Sequence, residues 1–121
     1  YIKFLDYQIN PYKYLKLANT FVLPSSFEGF GIVLVEALYL NKNIVSTDIL
    51  ASREVLENEK YGILCEQNPI AMSNALYKSL CFDKDNFELS KKANEYRVEK
   101  ITAEYIGLIN NILNPCNTPT N

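Results

Sequence analysis

The chain has 121 residues, 48 % of them hydrophobic, and a formal charge of −2. That size and apolar content suit one domain with a real core, and the absence of a long basic run disfavours nucleic acid as the main partner. With no histidine at all, the commonest general base and metal ligand is missing, which excludes Ser-His-Asp and Cys-His catalysis within the chain.

In chain order, Tyr1 to Tyr7 has the pattern of a strand, and the abrupt start suggests a piece of a longer protein. Pro11 to Ala18 is expected to be a short helix, with Asn10 as its N-cap and Pro11 at the first helical position. Thr20 to Leu23 is a short buried strand ended by Pro24, and Gly31 to Leu40 a buried helix. Asn43 to Thr47 forms the next strand, Ser52 to Glu57 a short helix, and Tyr61 to Cys65 a fourth strand. Pro69 to Leu80 is an amphipathic helix, Asp83 to Asn86 a turn, and the remainder is helical with a break near Tyr96. In the last helix Ile101, Tyr105, Leu108 and Ile112 recur on one side. Residues 114–121, NPCNTPTN, form a polar tail expected to fray. Short apolar strands alternating with helices indicate an α/β fold: a Rossmann-like parallel sheet with helices on both faces, spanning residues 1–113.

Cys65, Cys81 and Cys116 are odd in number and form no CxxC pair, against both a disulfide framework and a zinc site. A reduced, cytoplasmic setting follows. YIKFLDY carries no signal-peptide pattern. The longest apolar run, Ile32 to Leu40, is interrupted by Glu36 and too short to span a bilayer.

The run PSSFEGFGIVLVEAL, Pro24 to Leu38, holds the chemistry. Glu28 lies in a polar loop after a strand; Glu36 lies among apolar residues, where a carboxylate needs a polar partner. In parallel α/β sheets ligands sit at the carboxyl ends of strands, where this loop belongs. Backbone N–H groups of Phe30, Gly31 and Ile32 open the following helix, an anion site by dipole and free donors. Gly29 and Gly31 permit close approach, and a carboxylate can accept from both hydroxyls of a vicinal diol. This chemistry suits a nucleotide sugar. Two bland readings stand beside it: Glu28 serving only the helix dipole, and Glu36 paired with a buried lysine or a backbone donor. Asp83-Lys84-Asp85 imitates a metal-binding DxD but sits in a polar turn after a helix, so no metal site is expected.

PSSFEGFGIVLVEAL resembles the E-x7-E motif of retaining glycosyltransferases of the GT-B fold, especially glycosyltransferase family 4 (group 1). NPYKYLKLANTFVLPS, NIVSTD, REVLE, YGILC and EKITAEYIGLINNIL resemble the flanking segments of that family, in order, so the likeness runs from about Tyr1 to Leu113. The resemblance implies the C-terminal, donor-binding part of such an enzyme, truncated at its N-terminal side and holding strands three to six of a six-stranded order. It implies that Glu28 holds hydroxyls of the transferred sugar as the catalytic-site carboxylate. Gly29, Phe30 and Gly31, with Ile32 and Val33 behind them, would meet sugar and diphosphate, and Glu36 the ribose. Glu54 falls where the family often has a glutamate after a glycine-containing turn, but Ala51 and Ser52 replace that glycine. Tyr7 lies near the usual base-binding region.

The implied reaction is retaining, single-face transfer from a nucleotide-diphosphate sugar, uridine before guanosine, to a hydroxyl acceptor, the leaving phosphate helping to deprotonate it. No cofactor is implied. The acceptor would be a carbohydrate or lipid-linked molecule held by a missing N-terminal domain, in bacterial surface-polysaccharide or lipopolysaccharide assembly, with peripheral association at the inner face of the membrane open to the whole enzyme. Cationic diphosphate-binding residues are expected before Tyr1. The isolated chain is therefore expected to bind donor weakly and transfer no sugar, and the lone Tyr1–Tyr7 strand to offer an exposed edge. Two rivals are a dinucleotide-binding oxidoreductase domain, with Gly29-x-Gly31 and Asp48 as ribose acid, and a non-catalytic flavodoxin-like interaction module.

Overall fold

The computed structural model describes residues 1–81 and 86–113. Its centre is a parallel sheet of three strands in spatial order β1 (Thr20–Leu23), β2 (Asn43–Thr47), β3 (Ile63–Cys65). The register pairs Val22 with Val45 and Thr47 with Cys65. Helices alternate with the strands: α1 (Tyr12–Leu17), α2 (Ile32–Tyr39), α3 (Leu50–Val55), α4 (Pro69–Leu80), α5 (Asn86–Ala93) and α6 (Val98–Leu113), with a 3-10 turn at Asn94–Tyr96.

β2 is central, and its alternation divides the core. Ile44 joins Leu34, Ala37 and Leu38 of α2, Val55 of α3, and Leu89 and Ala93 of α5 in one buried cluster. Val45 is also buried but lies outside that cluster, and α4 packs on β2 and β3. Helices thus flank both sides of a Rossmann-like sheet, as the alternating pattern predicts. Burying Leu34 and Leu38 completely contributes roughly 1.5–3 kcal/mol each. α4 starts where the sequence places it: Pro69 opens it and the Asn68 side chain accepts from Ala71 N–H at 2.8 Å.

Two expectations are corrected. Tyr1 to Tyr7 is not a strand: the segment pairs with no described strand, and Tyr1, Ile2, Phe4 and Tyr7 are exposed. Strand propensity becomes a strand only through a ladder of hydrogen bonds, so among the described residues the sheet has three strands rather than four, with β1 and β3 outermost. At α1, Pro11 rather than Asn10 takes the cap position, and no side chain caps the helix; the Pro11 carbonyl instead accepts from Tyr14 and Leu15.

The break near Tyr96 is present as the 3-10 turn. On α6, Ile101 is half-buried while Tyr105 and Leu108 are exposed. Asp83, Lys84, Asp85, the side chain of Ile112, and the tail with Cys116 lie outside the described residues.

Candidate functional site

The loop from Pro24 to Phe30 leaves the carboxyl end of β1 and enters α2. Hydroxyls from the neighbouring strand hold it. Ser46 of β2 donates to the Leu23 carbonyl at 3.3 Å, and Thr47 donates to the Ser25 carbonyl. Ser25 in turn donates its side-chain hydroxyl to Glu28 Oε1 at 2.7 Å. The half-buried Glu28 carboxylate is therefore tied through Ser25 to β2. Gly29 is exposed, with nothing within 4 Å of where a Cβ would stand, so the backbone here is open to close approach.

Gly31 is the turning point. Its φ of 75° is left-handed, and its carbonyl accepts the Leu34 N–H at 2.8 Å to begin α2. No side chain caps this helix. The leading N–H groups of a helix have no intrahelical acceptor, so the first turn at Ile32 and Val33, four and five residues after Glu28 in the chain, presents donors and the positive end of the helix dipole. Ile32 and Val33 are exposed, as is Phe30, whose ring meets Tyr96 edge-on at 5.5 Å.

One turn into α2, Glu36 is half-buried and accepts a hydrogen bond from the Tyr12 hydroxyl at 2.8 Å. Its partner is thus neither lysine nor backbone. Hydrogen bonding to the carboxylate, reinforced by its charge, raises the Tyr12 pKa, because ionisation would place two negative oxygens together. Beside this pair is a cavity of about 420 Å³ bordered by Tyr12, Glu36, Tyr39, Tyr96 and Arg97. Sequence reasoning missed Tyr12, Tyr96 and Arg97: the first comes from an exposed helix, the others from a distant segment that only packing of α5 on α2 brings near.

Residues outside this group fall elsewhere. Glu54 is exposed on α3, while Ser52 is buried and shares a 2.7 Å hydrogen bond with Ser46. Tyr7 is exposed in the unpaired leading segment. Asp48, the ribose acid of the dinucleotide alternative, is held by the Arg53 fork at 2.5 and 2.8 Å, which lowers its pKa. Cys65 ends β3, and burial, with a smaller contribution from Asp48, raises its thiol pKa, which suits an inert thiol rather than a nucleophile.

A parallel sheet flanked by helices, with a polar loop and an uncapped helix start at its carboxyl end, defines a Rossmann-like domain whose candidate site lies where such sheets place their ligands. The sequence comparisons make the class specific. The chain belongs to the family described as glycosyl transferases group 1, whose model matches residues 1–99. It is 34 % identical over 77 residues to N-acetylgalactosamine-N,N'-diacetylbacillosaminyl-diphospho-undecaprenol 4-alpha-N-acetylgalactosaminyltransferase of Campylobacter jejuni, covering 63 % of this chain and 20 % of that protein. A probable sucrose-phosphate synthase of Thermosipho melanesiensis is 32 % identical over 95 residues, covering 78 % and 22 % respectively. An uncharacterized glycosyltransferase of Haemophilus influenzae is 30 % identical over 105 residues, covering 79 % and 29 %. The chain thus spans less than a third of the length of each of these relatives. No described helix is long and apolar enough to cross a membrane.

Proposed function

We propose that the Pro24–Leu38 segment is the donor half-site of a glycosyltransferase that uses a nucleotide-diphosphate sugar. The observation that carries this reading is the placement of two carboxylates around one uncapped helix start: Glu28 before Gly31, tied to Ser25, and Glu36 one turn inside α2, tied to Tyr12. The diphosphate meets the N–H groups at Gly31, Ile32 and Val33, aided by backbone exposed at Gly29 and Phe30. Glu28 accepts from hydroxyls of the transferred sugar, and Glu36 from the ribose. Fixed donors at the departing diphosphate lower the barrier because charge grows there as the glycosidic bond breaks. The reaction proceeds with retention, the leaving phosphate taking the acceptor proton on the same face.

In the whole protein, residues 1–113 form part of the C-terminal donor domain of a GT-B enzyme, and cationic side chains from preceding sequence complete the diphosphate site. Uridine diphosphate is the default donor nucleotide, guanosine diphosphate the next. The Campylobacter relative's name specifies a diphospho-undecaprenol acceptor, which supports a lipid-linked glycan acceptor here; the resemblance to family 4 extends the proposal to bacterial surface-glycan synthesis at the cytoplasmic face of the membrane.

Calorimetric titration of the chain with UDP, GDP and NAD tests the reading. Weak UDP or GDP binding that drops at least tenfold in Glu36→Ala, together with a tenfold loss of affinity for the matching nucleotide sugar in Glu28→Ala, supports it. Binding of NAD alone, or indifference to both substitutions, rejects it. For the whole enzyme, the anomeric configuration of the product by NMR decides retention.

A further inference from the structure

To accept from a ribose diol the Glu36 carboxylate must be aimed, yet its neighbours Val33, Val35, Ala37 and Leu40 are apolar and offer nothing to aim it. Among the described residues its hydrogen-bond partner is Tyr12, at 2.8 Å and 24 positions away in sequence. α1, which carries Tyr12, contributes no buried residue, and Tyr12 is itself 47 % exposed. Core packing therefore does not explain where this ring lies; the hydrogen bond to α2 is a principal tie.

Tyr12 and Glu36 also stand between two spaces. They are the two residues shared by the cavity of about 420 Å³ toward Tyr39, Tyr96 and Arg97 and by a second of about 370 Å³ toward Leu15, Phe21 and Val33. A ligand that reaches Glu36 from either side meets the bonded pair rather than a free carboxylate.

A tyrosine hydroxyl donates one hydrogen, whereas an ionised carboxylate has about four acceptor sites on two oxygens. Tyr12 therefore takes one site of Oε1 and leaves Oε2 and the remaining capacity for a diol. It also removes rotamer freedom that a flexible glutamate would otherwise lose on binding, which is the basis of preorganised affinity. We infer that Tyr12 is a positioning residue: its hydroxyl orients the Glu36 carboxylate toward the two hydroxyls of a ribose. This rests on the reading of Glu36 as the ribose acceptor, and Tyr12 is not required to touch the ligand.

The test is calorimetric titration of UDP and 2′-deoxy-UDP into wild type, Tyr12→Phe, Glu36→Ala and the double variant. Tyr12→Phe keeps the ring and removes one donor. It is expected to weaken UDP binding about three- to tenfold, the value of one net hydrogen bond, and to narrow the preference for UDP over 2′-deoxy-UDP. In the Glu36→Ala background it is expected to have no further effect. Equal weakening for both nucleotides, no change, or tighter UDP binding (a competing latch) overturns the inference while leaving Glu36 as ribose acceptor. If Glu36→Ala itself leaves UDP affinity unaltered, the ribose reading fails and takes this inference with it.

Discussion

The hydroxyls of Ser46 and Ser52 meet at 2.7 Å, both fully buried, and join the end of β2 to α3. Ser46 also reaches the Leu23 carbonyl across the sheet, so one short polar chain links α3, β2 and the end of β1 directly beneath the loop that carries Glu28. A buried hydroxyl left without a partner costs about 1–3 kcal/mol. Ser46→Ala strands Ser52 and is expected to destabilise the chain by roughly 1–2 kcal/mol in urea denaturation. Ser46→Ala with Ser52→Ala should then cost less than the sum of the two single changes, because neighbours sharing one bond are not additive. Strict additivity would show that the two hydroxyls are satisfied independently.

Ser25→Ala acts on the site more than on the fold. It removes the 2.7 Å hydrogen bond to Glu28 but leaves the Ser25 carbonyl available to Thr47. With the proposed sugar contact at Glu28, nucleotide-sugar affinity should fall several-fold, within the range of one hydrogen bond, while affinity for the free nucleotide changes little. Loss of both affinities to the same degree would place Ser25 in general loop stability.

Gly31→Ala tests the helix start. The left-handed φ of 75° costs an L side chain roughly 1–2 kcal/mol, and the new Cβ would stand 3.2 Å from Leu34 Cδ1, a fully buried core side chain. The expected result is a destabilisation of roughly 2 kcal/mol together with loss of nucleotide binding. Gly29→Ala is the control: its Cβ meets nothing within 4 Å, so stability should hold within about 0.5 kcal/mol.

The pattern of these residues explains what could be foreseen from sequence. Strands β1 and β2 and the helices around them follow from local apolar runs between turn residues, and the start of α4 follows from Pro69 at its first position. Glu28 and Gly31 were legible because their loop, turn and helix are contiguous. The Tyr12–Glu36 bond was not, since a tyrosine on an exposed helix carries no local sign of the carboxylate it meets. Tyr96 and Arg97 were invisible as site neighbours for the same reason: they approach only through the packing of α5 on α2. Tyr1 to Tyr7 misled because strand propensity says nothing about whether a partner strand is present.

Lys92 is the sharpest electrostatic case. Its side chain is 7 % exposed, and Nζ lies 2.7 Å from Glu57 and 2.8 Å from Glu95, with the Tyr96 ring centroid at 5.1 Å. Burial works against the ammonium, but the hydrogen bonds to Glu57 and Glu95 outweigh it and raise its pKa. The same bond, with a second from Lys60, lowers the pKa of Glu57. For a lysine with a raised folded pKa, the stabilisation is complete below the unfolded value of about 10.4 and is lost as pH climbs through the folded one. For Glu57, depressed on folding, it is complete above about 4.3 and is lost as pH falls through the folded value. The contribution of this network is thus flat between those limits, and Glu57→Gln should make the acid limb of a melting-temperature profile shallower without altering the neutral plateau's shape. Removing both acids with Glu57→Gln and Glu95→Gln leaves a buried charge unpaired and is expected to cost roughly 3 kcal/mol. Lys92→Met removes that charge, keeps most of the packing volume, and leaves two carboxylates with access to water, so its cost should be about 1 kcal/mol. The reverse order, with Lys92→Met the more damaging, would mean that the ammonium contributes through the Tyr96 face and the surrounding packing more than through its acids.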